Sequence, residues 1–350
     1  MARRTQSLVV ASVLAFALLV VGLWMPVPFV TLAPGPVTDT LGAVDGTQLI
    51  TVEGRRTYPT SGRLDLTTVE ETPKLNLVSA LKDWANGDRA VVPTELIRPP
   101  GSSQEQVQQE NAQAMLDSQD QATAAALTQL GVAATGRSVA VYTIPSGSPA
   151  AGRLATGDVI TQIDGVAVST QDQLRAQVGK VRPGTAVTVA YKRGGKPATA
   201  TATATITTRP APDDPSRAMI GITATEKRIY PFTVRIRLSD VGGPSAGLMF
   251  AMGIVDLLTP GPLTGGKIIA GTGTITAAGE VGPIGGIQQK ILGAKASGAS
   301  VFLVPAANCA DARSVDSAGA PRLVKVDTLA GAVKAVDALR ISPAASVPSC

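Results

Sequence analysis

A serine and a lysine carry the chemistry this sequence offers. Ser245 follows Gly242-Gly243-Pro244 and opens a strongly apolar run that ends at Leu258. Proline suits a first helical position, so the pattern predicts a buried helix over 244–258 with Ser245 just inside its start. Helix starts leave backbone N–H groups unpaired and carry partial positive charge, which suits a developing oxyanion. A serine there is also an ordinary cap. Lys290 lies in GGIQQKILGAKASG, residues 285–298, which reads as a short helix after a glycine turn. Its apolar stripe contains Ile287, Ile291 and Ala294; Lys290 points along that stripe, whereas Lys295 lies on another face. Burial disfavours a charged amine. For half neutrality near pH 7 the lysine pKa has to fall by about three units, roughly 4 kcal/mol. A neutral amine beside a hydroxyl is a general base, the Ser-Lys variant of nucleophilic catalysis. From the residues alone the alternative stays open: a lysine that buries its methylenes and extends its head to water.

Other chemistries are closed by composition. The chain of 350 residues has no histidine, which removes Ser-His-Asp and Cys-His catalysis and histidine metal sites. Two cysteines, Cys309 and Cys350, cannot build a structural zinc site, and whether they pair is left open. No metal or cofactor is expected. Aromatics are 3% of the residues and the net charge of +5 is not concentrated in any basic run, so no nucleic-acid partner is expected. GPLTGGKI, residues 261–268, imitates a phosphate loop, but Ile268 replaces the magnesium-binding hydroxyl. It also follows a helix and precedes a strand, the reverse of the order such a loop needs. No nucleotide is expected.

The elements that position the pair begin with residues 8–27, an apolar stretch long enough to cross a bilayer as a helix, with Trp24 at its end. Arg3 and Arg4 favour a cytoplasmic amino terminus, which places the remainder outside the cytoplasm. A signal peptide is the competing reading, with TLAPGP the nearest cleavage candidate. Pro34, Gly35 and Pro36 read as a stiff exit from the membrane. A short strand at Leu64 and Leu66, a helix over 75–86 and the breaker Pro99-Pro100-Gly101 follow. Residues 102–130 are Gln/Ala-rich and read as a solvated connecting helix.

From Gly131 short strands and turns take over: strand, small-residue turn over 146–151, GDVITQIDG, helix over 170–178, a Pro183-Gly184 turn, and strands over 186–192 and 198–207. GSPAA, GDVI, Asp164-Gly165 and PGT in this order resemble a PDZ domain of the bacterial protease-associated type, over about eighty residues. The resemblance implies capture of extended peptide ends by strand addition. It puts the amides that hold a terminal carboxylate near Leu130, Gly131 and Val132. Pro210, Pro212 and Pro215 with Asp213-Asp214 read as a linker to the last domain. There TVRIRLS alternates as a strand, with Val234, Ile236 and Leu238 on one face.

GGPSAG around Ser245, AGTGTIT over 270–276 and GEVGPIGGIQQK ending at Lys290 resemble the proteolytic domain of Lon proteases, over residues 217 to 340. More narrowly they resemble membrane-anchored bacterial proteins that join a PDZ domain to a Lon-like domain without an ATPase. The resemblance implies Ser245 as nucleophile, Lys290 as general base, Thr272 as the residue that positions the lysine, and a peptide bond as substrate. It also implies a homo-oligomer, because such domains commonly form rings. Two positions depart from the family pattern. Gly242-Gly243 replaces the usual Asp-Gly, with Asp240 displaced upstream, and Thr274 stands where a glutamate is usual.

The expected architecture is α/β multidomain: a cytoplasmic start and transmembrane anchor (1–30), an N-terminal α/β region with connecting helix (31–125), a PDZ β-barrel-like domain (126–208), a Lon-type α/β proteolytic domain (209–340) and a tail (341–350). The expected function is a membrane-anchored, ATP-independent serine endopeptidase acting on unfolded or flexible proteins. Two rivals remain: a catalytically silent, membrane-tethered peptide-binding scaffold, and a Ser-Lys hydrolase for another acyl group.

Overall fold

The computed structural model describes residues 2–44, 46–98, 101–193, 201–238, 241–315 and 318–350. Asp240, Pro99-Pro100 and positions 198–200 of the expected strand lie outside the described residues. The chain divides into two compact units, one of Met1–Gly131 with Val234–Cys350 and one of Val132–Thr233.

In chain order the first stretch holds α1 (Ala2–Trp24), β1 (Phe29–Asp39), β2 (Arg63–Thr72), α2 (Leu77–Trp84), β3 (Ala90–Pro93) and α3 (Gln104–Gln129). The inner unit holds β4 (Gly136–Thr143), β5 (Val159–Ile163), α4 (Gln171–Val178), β6 (Ala186–Lys192), β7 (Ala202–Thr207) and β8 (Thr223–Ile229). The last stretch holds α5 (Gly247–Leu258), β9 (Ile268–Gly271), α6 (Ile287–Ala296), β10 (Val301–Pro305), β11 (Arg322–Val326) and α7 (Leu329–Ile341).

The sheet of the discontinuous unit runs β11-β10-β9-β2-β1-β3. Its β2–β9, β9–β10 and β10–β11 pairs are parallel, and its β2–β1 and β1–β3 pairs antiparallel. Residues expected to form a separate N-terminal region therefore complete the sheet that carries the last domain. Pro34 and Pro36 do not stiffen a membrane exit; they lie in β1, at a register shift between Pro34 and Val37, where a proline's missing N–H is tolerated. Val301, Phe302, Leu303 and Val304 of β10 are all buried, as expected of a strand covered on both faces.

The expected solvated connector is instead a packed helix. Ser103 and Gln106 cap α3 reciprocally, and Met115, Ser118, Ala122 and residues 124–127 are buried against the apolar α5. The low hydropathy of α3 concealed this, since alanine buries a face without advertising one. Close approach is possible because Gly247 has no side chain: a Cβ there would meet Ser118 Oγ at 2.8 Å. Cys309 and Cys350 form a disulfide. The tail is held along β11, where Lys325 N donates to Pro348 O at 3.0 Å.

The inner unit is an antiparallel sheet, β7-β6-β5-β4-β8. Leu174 and Val178 of α4 enter its core with Val139, Ile160, Val189 and Ile206. The Pro/Asp stretch read as a linker belongs to this unit: Arg209 and Pro210 pair with Ala218 and Met219, and β8 pairs with β4 from Thr223↔Thr143 to Ile229↔Gly136. The next strand, Thr233–Ile236, pairs with Ile50–Glu53 in the other unit's fold. The compact inner unit thus ends about 25 residues beyond the boundary expected at 208, because β8 supplies an edge that local patterning could not assign.

Candidate active site

Lys290 sits on α6 with its side chain turned inward, and the residue is only 3% exposed. Three features fix that helix. Gly286, its N-cap, has φ 67°, and a Cβ there would lie 2.6 Å from Val69 Cγ2, so both conformation and space require glycine. Asn308 clamps the preceding loop: Ile284 N donates to Asn308 Oδ1 at 2.9 Å, and Asn308 Nδ2 donates to Ile284 O at 2.9 Å. Ile287, Ile291 and Ala294 then anchor the helix in a buried cluster with Phe302 and Val304.

Ser245 precedes its helix rather than opening it. Its carbonyl oxygen accepts from Gly273 N at 2.8 Å and from Thr272 Oγ1 at 3.0 Å, which diverts it from helical pairing and delays α5 to Gly247. The neighbouring Pro244 carbonyl accepts from Ser118 Oγ at 2.9 Å, so α3 braces the same turn.

Ser245, Lys290 and Thr272 come together. Lys290 Nζ is 2.7 Å from Ser245 Oγ and 3.1 Å from Thr272 Oγ1. Burial lowers the Lys290 pKa from 10.5 to about 8. That falls short of the half neutrality at pH 7 anticipated from the stripe, and two hydroxyl oxygens within reach still accept from the ammonium. A cleft of about 550 Å³ opens beside the pair, walled by Pro36 of β1, Thr68, Val69 and Glu70 of β2, and Val241, Gly242 and Gly285. An amine of this kind takes a proton from a hydroxyl at mildly alkaline pH without histidine. Among the described residues no group of three or more Cys, Asp or Glu side chains is arranged to hold a metal. The walls from β1 and β2, the Asn308 clamp and the Ser118 brace had no sequence signal, because each acts through contacts distant in the chain.

The inner unit has a separate groove of about 330 Å³ between α4 and residues 217–224. Leu174 and Val178 face Ile220, Gly221 and Ile222 across it, with Arg175 and Arg217 among its lining residues. The adjoining β8 is an edge strand. Leu130, Gly131 and Val132 are not among the residues that line this groove. Leu130 is the C-cap of α3, and Gly131 follows it with φ 69°, the conformation that ends a helix.

Residues 239–337 match the family model of the Lon protease (S16) C-terminal proteolytic domain, and residues 109–203 match that of a PDZ domain. The PDZ match stops short of β8, which explains why the boundary is hard to place from local sequence. Similar curated proteins include Lon protease 2 of Herpetosiphon aurantiacus, 39% identical over 25% of this chain and 11% of its own length. Lon protease 1 of Sorangium cellulosum is 48% identical over 20% of this chain and 8% of its own length. Lon protease of Haemophilus influenzae is 32% identical over 34% of this chain and 14% of its own length. The chain thus spans about a tenth of the length of the curated relatives it matches. Among solved structures, the PDZ domain of an SdrC-like protein from Listeria monocytogenes is 29% identical, covering 27% of this chain and 92% of that one, with a TM-score of 0.23. Site geometry and family matches meet in the same residues: this α/β chain joins a PDZ domain to a Lon-type proteolytic domain and carries an apolar helix at its N-terminal end.

Proposed function

We propose that the chain is a membrane-anchored serine endopeptidase that works without nucleotide and cleaves unfolded or flexible proteins. The observation that carries this reading is the 2.7 Å approach of a buried lysine amine to the Ser245 hydroxyl, beside a cleft open to a chain. Lys290 Nζ takes the Ser245 proton as Oγ bonds to the scissile carbonyl carbon. The oxyanion is held by backbone amides ahead of α5, which have no helical acceptor. The protonated lysine then gives its proton to the leaving amine as the C–N bond breaks. Water, deprotonated by the same amine, releases the acyl group from Ser245. Thr272 positions the lysine, and the groove beside β8 holds the captured peptide by strand addition.

Membrane attachment rests on α1: within Arg4–Trp24 an 18-residue window has a mean hydropathy of 2.5, and none of that window is buried in the fold. Independence from nucleotide rests on the sequence over 261–268, which leads into strand β9 and offers no phosphate loop. Ring assembly is carried over from the Lon resemblance as part of the same proposal. Incubating the full chain with an unfolded protein, with neither nucleotide nor metal added, tests the reading. Cleavage is expected, and Ser245→Ala and Lys290→Ala should each abolish it while peptide binding persists. Peptide binding without cleavage by the unaltered chain would favour the scaffold.

A further inference from the structure

Helix α2 is amphipathic in the wrong direction for a water-soluble surface. Its inward face carries only the small Ala80 and a carboxylate: Asp83 is buried, accepting from Thr31 Oγ1 at 2.8 Å and pairing with Arg89 at 2.7 Å. Its outward face is apolar, with Leu77, Leu81 and Trp84 at i, i+4 and i+7 and Val78 beside them. Leu81 is 52% exposed and Trp84 74% exposed. A helix packed on a soluble core buries such residues and turns its charges out. A second exposed apolar group lies close by in sequence and topology: Leu96, on the short helix Thr94–Ile97, is 74% exposed. After α1, eleven large apolar side chains are exposed among the described residues, and only Leu116, Val166, Ile229 and Ile341 fall outside residues 25–96.

Both segments are tied to the chain as it leaves α1. Val27 N donates to Leu75 O at 2.8 Å, two residues before α2, and Thr94 N donates to Pro28 O at 3.0 Å, at the start of the second helix. Trp24, at the end of α1, is 71% exposed, so both tryptophans of the chain stand outward around this junction. Tryptophan and leucine on a short helix lying at the end of a span are what the headgroup layer accepts.

We propose that the outward face of α2, together with Leu96, lies in the interfacial layer of the bilayer that α1 enters, so that the proteolytic unit is seated on the membrane at two points beside its anchor. This rests on the reading of α1 as a membrane span. The occupant is lipid because the face is continuous with that span through hydrogen bonds to residues 27 and 28.

The test uses the full chain reconstituted in phosphatidylcholine vesicles with acyl-chain-brominated lipid as quencher, and iodide as the aqueous quencher. Trp24→Phe leaves Trp84 as the sole tryptophan, and Trp84→Phe leaves Trp24. Trp84 should be quenched by bromine and shielded from iodide, as should Trp24. Trp84 open to iodide and indifferent to bromine, with Trp24 quenched, would overturn the seating and leave the span standing. Trp84 shielded from iodide but not quenched by bromine would assign the face to a protein surface, a second copy included, and overturn it as well. Trp24 indifferent to bromine would remove the span and the seating together.

Discussion

Thr272 Oγ1 and Lys290 Nζ lie 3.1 Å apart, and the threonine's own proton is committed to the Ser245 carbonyl at 3.0 Å. The threonine oxygen can therefore only accept from the lysine. One N–H of a neutral amine is drawn to Thr272, and its lone pair is left for the Ser245 hydroxyl 2.7 Å away. In the proposed mechanism, orientation of the base thus comes from a hydroxyl that takes no part in bond making. Thr272→Val should lower kcat about tenfold to a hundredfold with KM little changed, a fraction of what a positioned base contributes. Thr272→Ser should restore most of the rate, because it keeps the oxygen; a KM effect with kcat intact would contradict the positioning role.

Acidity follows from burial. With the Lys290 pKa lowered to about 8, the fraction of neutral base rises through that pH, and kcat/KM on a peptide should climb with a midpoint near it. A flat profile from pH 6 to 10 would exclude the lysine as base.

The same burial has a sign in stability. Between about pH 8 and 10.5 the unfolded chain holds a lysine proton that the folded chain lacks, so stability rises with pH across that window. Below it both states are protonated and the folded state bears the full cost of the buried charge, about 3 kcal/mol. Lys290→Met should therefore raise stability at pH 7 by up to about 3 kcal/mol, with the gain fading by pH 10.5. Denaturant melts at the two pH values check this.

Asn308 holds the lysine's helix from behind. Asn308→Ala leaves Ile284 N and O unpaired and should cost about 2 kcal/mol or more. As the entrance to α6 loosens, Lys290 gains water, so the midpoint of the activity profile should also move to higher pH. A stability loss with an unmoved midpoint would make Asn308 structural only.

Gly286→Ala meets both a left-handed backbone and Val69 Cγ2 at 2.6 Å. It should destabilise by about 1–2 kcal/mol or more and lower kcat through the same helix. Unchanged melting would show that the turn relaxes freely.

How much was legible depended on how local the cause is. The stripe of Ile287, Ile291 and Ala294 announced an inward Lys290 because helical spacing is a local property. The strand over 186–192 is found with those limits. The extent of α5 was missed by three residues, because Gly273 and Thr272, 27 or more residues away, take the Ser245 carbonyl. The compact units divide at other residues than the expected boundaries for a similar reason. β1, β2 and β3 look like a separate region until β2 pairs with β9, some two hundred residues on. β8 reads as the next domain until it meets β4. The α3 helix hid its packed face because alanine contributes shape without hydropathic contrast. The groove beside β8 has no local sequence signal, because it is lined by α4 and by Ile220 to Ile222, more than forty residues apart in the chain.

The most direct test of the Ser245–Lys290 pair is mass-spectrometric detection of the adduct left by an electrophilic serine reagent on the full chain at pH 8.5. The account predicts stoichiometric modification of Ser245 in the unaltered chain and none in folded Lys290→Met. An unmodified Ser245, or modification that proceeds equally well without the lysine amine, would contradict it.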